Sequence, residues 1–215
     1  MAYTRGNNQN IIVGAASFFI ADTTLTAATL PSMTGSPAST QSYRETLSNN
    51  AAFENVGYTM NGLELSFQPN FGEVQVDQLL DVAKLYKQGM QVSLKTAFAE
   101  ATLENLLVAL AYGNSKLTGT KSAAAGQSLD LSAGDIGECP VERGIIAVGP
   151  GTGDCEESDR IERVYAAYRA LSIDNVTVSA KRDAVSMFEV SFRLLPDDSS
   201  ASYGKIVDRT WTITS

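Results

Sequence analysis

The chain has 215 residues, of which 44% are apolar, so it can bury a full core. This length and composition predict a single domain spanning residues 1–215. Its 16 basic and 24 acidic side chains give a formal charge of −8, which argues against a protein that wraps nucleic acid through neutralising contacts. The lack of histidine in the sequence excludes zinc sites and general bases that need an imidazole.

The N-terminal segment predicts a short strand and no targeting signal. Met1–Asn10 is polar and has no basic stretch leading into a long apolar run, so we expect no secretory signal. The apolar run Asn10–Ala21 is far too short to cross a bilayer. Its length and its lack of helical period predict a buried strand, in which Gly14 permits a bulge. We therefore expect a soluble cytosolic product.

Two long segments lack a clear period. Residues 22–55 are rich in Thr, Ser, Ala, Asn and Pro, and residues 114–160 are rich in Gly, Ala and Ser. Compact domains seldom contain unstructured connections of this length, so each segment is predicted to be a long loop, ordered by a partner, or an extended hairpin. Within the second segment we expect short strands at Ser128–Leu131 and Gly144–Val148.

The segment Val56–Pro69 alternates between apolar and polar residues with the period of two that is typical of a half-buried strand. Within it, Asn61-Gly62 predicts a tight turn or a bulge, since both residues tolerate positive φ. Pro69 has no donor for a ladder and is predicted to end the strand. The apolar side of the strand includes Leu63, Leu65 and Phe67.

The next segments predict two further strands around a weaker element. Glu73–Asp77 and Gln91–Phe98 alternate again between apolar and polar residues. Between them, Gln78–Gln88 predicts a helical or turn segment that Gly89 closes.

The best-defined element is an amphipathic helix over Leu103–Ala111, whose apolar residues recur at the i, i+3, i+4, i+7 and i+8 positions. Glu100 and Glu104 lie in its first turns, where carboxylates interact favourably with the helix dipole. Gly113 is predicted to form a left-handed cap at the C-terminal end. We expect this helix to lie across one side of a sheet.

The C-terminal third returns to strands. Arg160–Arg169 is ambiguous between helix and strand and favours strand, whereas Asn175–Lys181, Met187–Leu194 and Ile206–Thr214 predict strands more plainly. Trp211 in the last strand is predicted to lie in the core. The whole pattern predicts a mainly β fold, a β-sandwich or barrel of roughly eight strands with one packed α-helix and long loops.

Six short runs of residues, spread over about half of the chain, form a recognisable pattern. They are Asn61–Leu65, Val76-Asp77, Gln91–Leu94, Ala99–Leu106, Ser172–Val176 and Phe188–Asp197. With Ala99–Leu106 as its most specific part, this pattern resembles the major tail tube proteins of long-tailed bacteriophages. Residues 22–55 and 114–160 have no counterpart in the resemblance.

The resemblance implies a structural subunit. Proteins of that family fold as a β-sandwich flanked by a helix, form six-membered rings and stack them into a hollow tube that conducts the viral genome. Inner-sheet strands of neighbouring subunits join into a continuous barrel. The implied partners are further copies of the chain and the terminator, tape measure and baseplate or tip proteins of the tail, with DNA passing through and no membrane insertion. The implied location is the virion tail, and the host cytoplasm during assembly.

The polar sides of two strands supply candidate lumen-facing residues. These are Glu64, Ser66 and Gln68, with Ser93 and Lys95 as a second set in which Lys95 has the less suitable charge. A wall of carboxylates, amides and hydroxyls would repel the phosphate backbone over about 8 Å at physiological salt. The alternative is that these residues are ordinary solvent-facing positions of a sheet.

Glu100 and Asn105 lie in the run that most resembles the family. They are candidates either for a subunit contact or for holding the start of the helix. Capping and dipole stabilisation account for an acidic first turn, which favours the structural role.

Nothing in the chain predicts an enzyme. Adjacent carboxylates such as Glu156-Glu157 and Asp197-Asp198 are far more often solvated than paired for acid–base work, and the serines have no imidazole base. Cys139 and Cys155 are too few to hold a metal and are expected to be reduced thiols. We expect no cofactor.

Two other functions stay open. One is another virion or contractile-injection tube component, such as a tail terminator or a capsid decoration protein. The other is a carbohydrate-binding β-sandwich module, which would need a line of exposed aromatic side chains. Tyr165 and Tyr168 come nearest to such a line.

Overall fold

The computed structural model describes residues 10–32, 41–79, 81–120, 126–134, 136–137, 139–152, 159–178, 182–183 and 185–212. The fold is mainly β, as predicted, and these residues include two α-helices, Tyr43–Ser48 (α1) and Leu103–Ala109 (α2). Neither helix in the described ranges is long and apolar enough to cross a membrane. The strands are Ser17–Ala21 (β1), Phe53–Asn55 (β2), Thr59–Val74 (β3), Lys84–Phe98 (β4), Leu117–Gly119 (β5), Gln127–Leu129 (β6), Arg143–Pro150 (β7), Asp159–Ser172 (β8), Phe188–Leu195 (β9) and Gly204–Thr212 (β10).

The main sheet is antiparallel and folds over into two facing layers. Its strand order is β2-β1-β7-β8-β9-β4-β3, and β10 also pairs with β8. Residues 159–167 of β8 pair with β10 and residues 169–172 pair with β9, so β8 passes from one layer to the other. The first layer holds β2, β1, β7, β10 and most of β8, and the second holds β9, β4 and β3. Strands β5 and β6 form a separate hairpin.

The main core fills the space between the layers. Phe18 of β1 lies 5.9 Å from Phe98 of β4 between ring centroids, although the two strands are far apart in the sheet order. The same ring stacks on Phe192 of β9. Leu107 and Val108 of α2 join this cluster, so α2 covers one side of the sandwich, as the sequence predicts.

A second apolar cluster lies on the outer face of the first layer, under α1. Tyr43 and Leu47, one helical turn apart, pack there with Phe19 of β1 and Ile146 of β7. Both faces of β1 and β7 are therefore buried, which explains why these strands have continuous apolar runs rather than alternation.

Helix α1 lies in the segment 22–55, which was predicted to be a loop or an extended hairpin, so the helix was not predicted. Its apolar face consists of two residues, too few to produce a recognisable period. The missed signal is the capping-box spacing Ser42-x-x-Glu45: the Ser42 hydroxyl accepts a hydrogen bond from the Glu45 N–H at 3.2 Å.

The β3–β4 hairpin is longer than predicted. Strand β3 continues past Pro69 to Val74, so the prediction that Pro69 ends it is wrong. Among the described residues β3 pairs only with β4, and an edge strand tolerates a residue without an N–H. The helical or turn prediction for Gln78–Gln88 is wrong from residue 84 onwards, and Gly89 lies inside β4.

The bulge predicted at Asn61-Gly62 is confirmed. The two residues have φ angles of 64° and 67°, and the register between β3 and β4 shifts between Met60 and Glu64. Strands also occur where the sequence predicts them in β6, β7, β8, β9 and β10, with bounds that differ by a few residues. The prediction of a buried strand over Asn10–Ala21 is correct only from Ser17 onwards: residues 10–16, with Gly14, form no strand, and Ile11 and Val13 are exposed.

Three local predictions are wrong. The left-handed residue after α2 is Ala111, with φ of 56°, and not Gly113. Residues 175–178 form no strand, and residues 179–181 lie outside the described ranges. Trp211 is half-buried rather than a core residue, since it lies near the end of β10, beyond the main core.

Candidate functional site

The five candidate lumen residues lie together on one side of the second layer. In the β3–β4 ladder Glu64 is opposite Lys95 and Ser66 is opposite Ser93, and Gln68 follows two residues further along β3. Strand β9 extends this side, since it pairs with β4 on the other edge. We call the combined surface the polar face; it comprises Glu64, Ser66, Gln68, Gln91, Ser93, Lys95, Glu189, Ser191 and Arg193.

The polar face is largely exposed and has no formal net charge. Its two carboxylates, Glu64 and Glu189, are balanced by Lys95 and Arg193, and all four are exposed. The opposite side of the same strands carries the apolar residues that pack into the main core. The face therefore combines the expected carboxylates, amides and hydroxyls with cations equal in number to the carboxylates.

Glu100 and Asn105 make contacts inside the chain. The Glu100 carboxylate accepts a hydrogen bond from the Tyr58 N–H at 2.9 Å. The buried Asn105 amide donates to the carbonyl oxygens of Val56 and Glu100 at 2.9 and 2.8 Å. Gly57, which lies against the Glu100 carboxylate, has φ of 83°, a conformation that residues with a Cβ rarely adopt and that favours glycine there. These contacts fix the start of α2 to the entry of β3.

The far half of the β3–β4 hairpin extends beyond the sandwich. Strand β9 pairs with β4 only over Val92–Phe98, and we call the described residues of 69–90, beyond this pairing, the arm. Six strand residues at about 3.3 Å each give the arm a length of about 20 Å. Phe71, Leu79 and Leu85 on the arm are 54%, 59% and 60% exposed.

The tip of the arm is acidic as well as apolar. Exposed Val74 and Val76 alternate there with Glu73, Asp77 and Asp81. This surface was not predicted, because the run was assigned to a strand followed by a helical or turn segment. The available signal was a run of apolar residues with carboxylates on both sides.

An apolar groove with a volume of about 630 Å³ opens between the two layers at the base of the arm. One wall comes from the second layer and the other from β8, β10 and the residues before β10. The Tyr203 hydroxyl joins the walls by donating to the Met90 carbonyl oxygen at 2.6 Å. Lys87 and Lys205 line the groove, and no carboxylate does so among the described residues. The principal apolar lining residues are Leu65, Phe67, Val92, Tyr165 and Ile206.

The two longest open strand edges in the described chain belong to β3 and β10; the three-residue strands β2, β5 and β6 also have one open edge each. Strand β3 pairs only with β4 over its 16 residues, and β10 pairs only with β8 over nine residues. An open edge presents unpaired N–H and C=O groups to any strand that approaches it.

A buried ion pair anchors α1 to the sheet and leaves no open site. Glu162 and Arg209 face each other across β8 and β10 at 3.2 Å, with side-chain exposures of 8% and 5%. The Glu162 carboxylate also accepts from the Tyr43 N–H, and Arg209 lies 5.4 Å above the Tyr43 ring. Burial raises the pKa of Glu162 above its ordinary value, and burial raises the pKa of Tyr43 to about 12.

The structure places the two tyrosines considered for carbohydrate binding in packed positions. Tyr168 is buried in the cluster under α1, and Tyr165 is partly buried against the main core. The two side chains therefore do not form a line of exposed aromatic rings.

No group of three or more Cys, Asp or Glu side chains in the described ranges is placed to hold a metal ion. Cys139 is exposed and unpaired with another cysteine, and Cys155 lies outside the described residues. No protein-family model matches the chain, and the comparison with curated proteins gives no match.

Proposed function

We propose that the chain is the structural subunit of a bacteriophage tail tube, which assembles into stacked hexameric rings whose lumen conducts the viral genome. The observation that carries the proposal is the incomplete second layer. Its edge strand β3 is open over 16 residues and continues into an arm with exposed apolar side chains. Pairing the open edge and burying these apolar side chains against other copies would lower the free energy of the monomer.

The long open edges of β3 and β10 support assembly from identical copies. A contact between different surfaces of identical copies is a head-to-tail contact, and such contacts close into rings when the rotation between copies permits. An assembly of this kind buries on the order of 2,000 Å² or more per interface. The pattern of residues that resembles the tail tube family favours this arrangement over an open filament.

The polar face supports the role of the lumen surface. Lys95 and Arg193 could bind phosphate, but Glu64 lies directly opposite Lys95 and Glu189 lies on the same face. Cations neutralised by neighbouring carboxylates offer few sites at which a polyanion can release counterions and bind. DNA would therefore slide past this surface without being held.

Negative-stain microscopy of the purified protein at high concentration tests the proposal. We expect tubes with a central channel. Isolated rings or surface knobs would favour another virion or injection-machine component, such as a terminator or a decoration protein. Particles that remain single copies at every concentration would overturn the proposal.

The lumen assignment has its own test. We expect the double variant Glu64→Lys, Gln68→Lys to form tubes that retain short DNA fragments in a co-sedimentation assay at low salt, whereas wild-type tubes do not. The control variant Asp130→Lys, Thr120→Lys makes the same change in charge at exposed positions in and beside the small β5–β6 hairpin. Equal DNA retention by the two variants would contradict the assignment.

A further inference from the structure

We propose that the arm of one copy docks into the groove of the next copy. This inference rests on the proposed self-assembly and names the surfaces that carry it. The occupant of the groove is thus the acidic, apolar tip of the arm, supplied by an identical chain.

The two surfaces are complementary in apolar character. The tip exposes Val76 and Leu79, and Phe71 and Leu85 are exposed further down the arm. The groove is lined mainly by aliphatic and aromatic side chains, and Phe67 and Ile206 at its walls are themselves about half exposed. Exposed apolar surface on both sides would be removed from water in one contact.

The two surfaces are also complementary in charge. The tip carries Glu73, Asp77 and Asp81 against the single cation Lys84. The groove carries Lys87 and Lys205 and, among its described lining residues, no carboxylate. In a chain with a formal charge of −8, a groove whose charged lining residues are both lysines favours an acidic partner.

The geometry of the hairpin requires that the tip come from another copy. Gln88 and Met90, at the base of the arm, line the groove, whereas the tip lies about 20 Å along the two extended strands. A paired antiparallel ladder does not fold back over that distance, so a copy cannot fill its own groove. The contact joins two different surfaces and therefore propagates from copy to copy.

A cysteine cross-link tests the docking. In a Cys139→Ser, Cys155→Ser background, one protein carries Leu79→Cys on the arm and a second carries Ile206→Cys in the groove. After mild oxidation we expect covalent dimers on a non-reducing gel only when the two proteins are mixed. As a matched control, Leu79→Cys is mixed with Ile173→Cys, which is 48% exposed elsewhere on the surface.

Charge reversal then tests the choice of partner. Adding Lys87→Glu and Lys205→Glu to the groove protein should lower the cross-linking rate about tenfold or more, since like charges would face each other. Adding Asp77→Lys and Asp81→Lys to the arm protein should restore it. Reversal of Lys116 and Arg182, with the same change in charge outside the groove, should leave the rate unchanged.

The outcomes separate this inference from the proposed function. Tubes that form while the arm and groove cysteines react no faster than the control pair would overturn the docking and leave the tube standing. Rapid, charge-dependent cross-linking in a protein that never forms a hollow tube would support the docking and overturn the tube.

Discussion

The first layer and the arm differ in how far their apolar side chains are covered within the chain. In the first layer, β1 and β7 are covered on one side by the second layer and on the other by α1. In the arm, β3 and β4 have neither a neighbouring strand nor a covering helix within the described chain. The first layer therefore completes its burial within the chain, whereas the arm leaves apolar side chains exposed, which we propose a second copy covers.

Truncating one phenylalanine in each region should give the largest difference in stability between the first layer and the arm. Phe19 in the first layer is 0% exposed and Phe71 on the arm is 54% exposed. Phe19→Ala should lower the free energy of unfolding by about 3–5 kcal/mol because it leaves a cavity. Phe71→Ala should change it by less than about 0.5 kcal/mol.

Urea unfolding of the unassembled protein measures both changes. The same arm variant should weaken assembly, which light scattering at rising concentration records. A large loss of monomer stability in Phe71→Ala would show that the arm is already packed within its own chain.

Two neighbouring ion pairs on the β8–β10 ladder, one buried and one more exposed, provide a second test of how well the first layer is covered. Arg209→Met leaves Glu162 as an unpaired buried carboxylate and should cost about 3 kcal/mol at neutral pH. Asp208→Asn breaks the more exposed pair with Arg163 and should cost at most about 1 kcal/mol. Chemical denaturation of the two variants provides the test, and equal losses would contradict the covered character of the first layer.

The pH dependence of the Arg209→Met variant follows from the same burial. The pKa of Glu162 is raised in the folded state by burial, so its protonated form favours folding. That contribution is present below the ordinary glutamate pKa and is lost as the pH rises through the folded value. The cost of Arg209→Met should therefore be smaller near pH 4 than at pH 7. A larger cost at the lower pH would show that Glu162 is not desolvated.

A smaller effect is expected at Asn105, where α2 is fixed to the entry of β3. Asn105→Ala removes two hydrogen bonds and leaves the carbonyl oxygens of Val56 and Glu100 without this donor. We expect a loss of about 2 kcal/mol in thermal or urea unfolding. Assembly at temperatures well below unfolding should be unchanged. An assembly defect with unaltered stability would instead identify Asn105 as a subunit contact.

The smallest effect is expected at the end of α2. Ala111 has φ of 56° and completes the helix end with hydrogen bonds from its own N–H to Val108 O and from Tyr112 N–H to Leu107 O. Glycine adopts this conformation without a Cβ penalty, so Ala111→Gly should raise stability by up to about 1 kcal/mol. Differential scanning calorimetry measures the shift, and a lowered melting temperature would contradict this reading of the cap.

Sequence patterns predicted the elements whose signal is local. The alternation in β3, the Asn61-Gly62 bulge and the helical period of α2 each depend on residues close together in the chain. The alternation also predicted that Glu64 and Lys95 lie on polar sides of their strands. It could not predict that they lie opposite each other, because register depends on pairing between distant segments.

The elements that the sequence did not predict are those that depend on tertiary context. Helix α1 is stable because its two buried side chains fit a preformed sheet face. The first half of β4 was not predicted because Leu85 and Tyr86 are both exposed and show no alternation of burial. The groove arises from residues of β3, β4, β8 and β10, which no short window of sequence brings together.

Hydrogen exchange of the dilute and the concentrated protein, followed by mass spectrometry, tests the central claim most directly. We expect amides of the arm and of the open β3 edge to exchange rapidly in the dilute protein and to become protected on assembly. The amides of β1 and β7 should be protected equally in both states. An arm that is already protected in single copies, or that gains no protection at high concentration, would contradict the account.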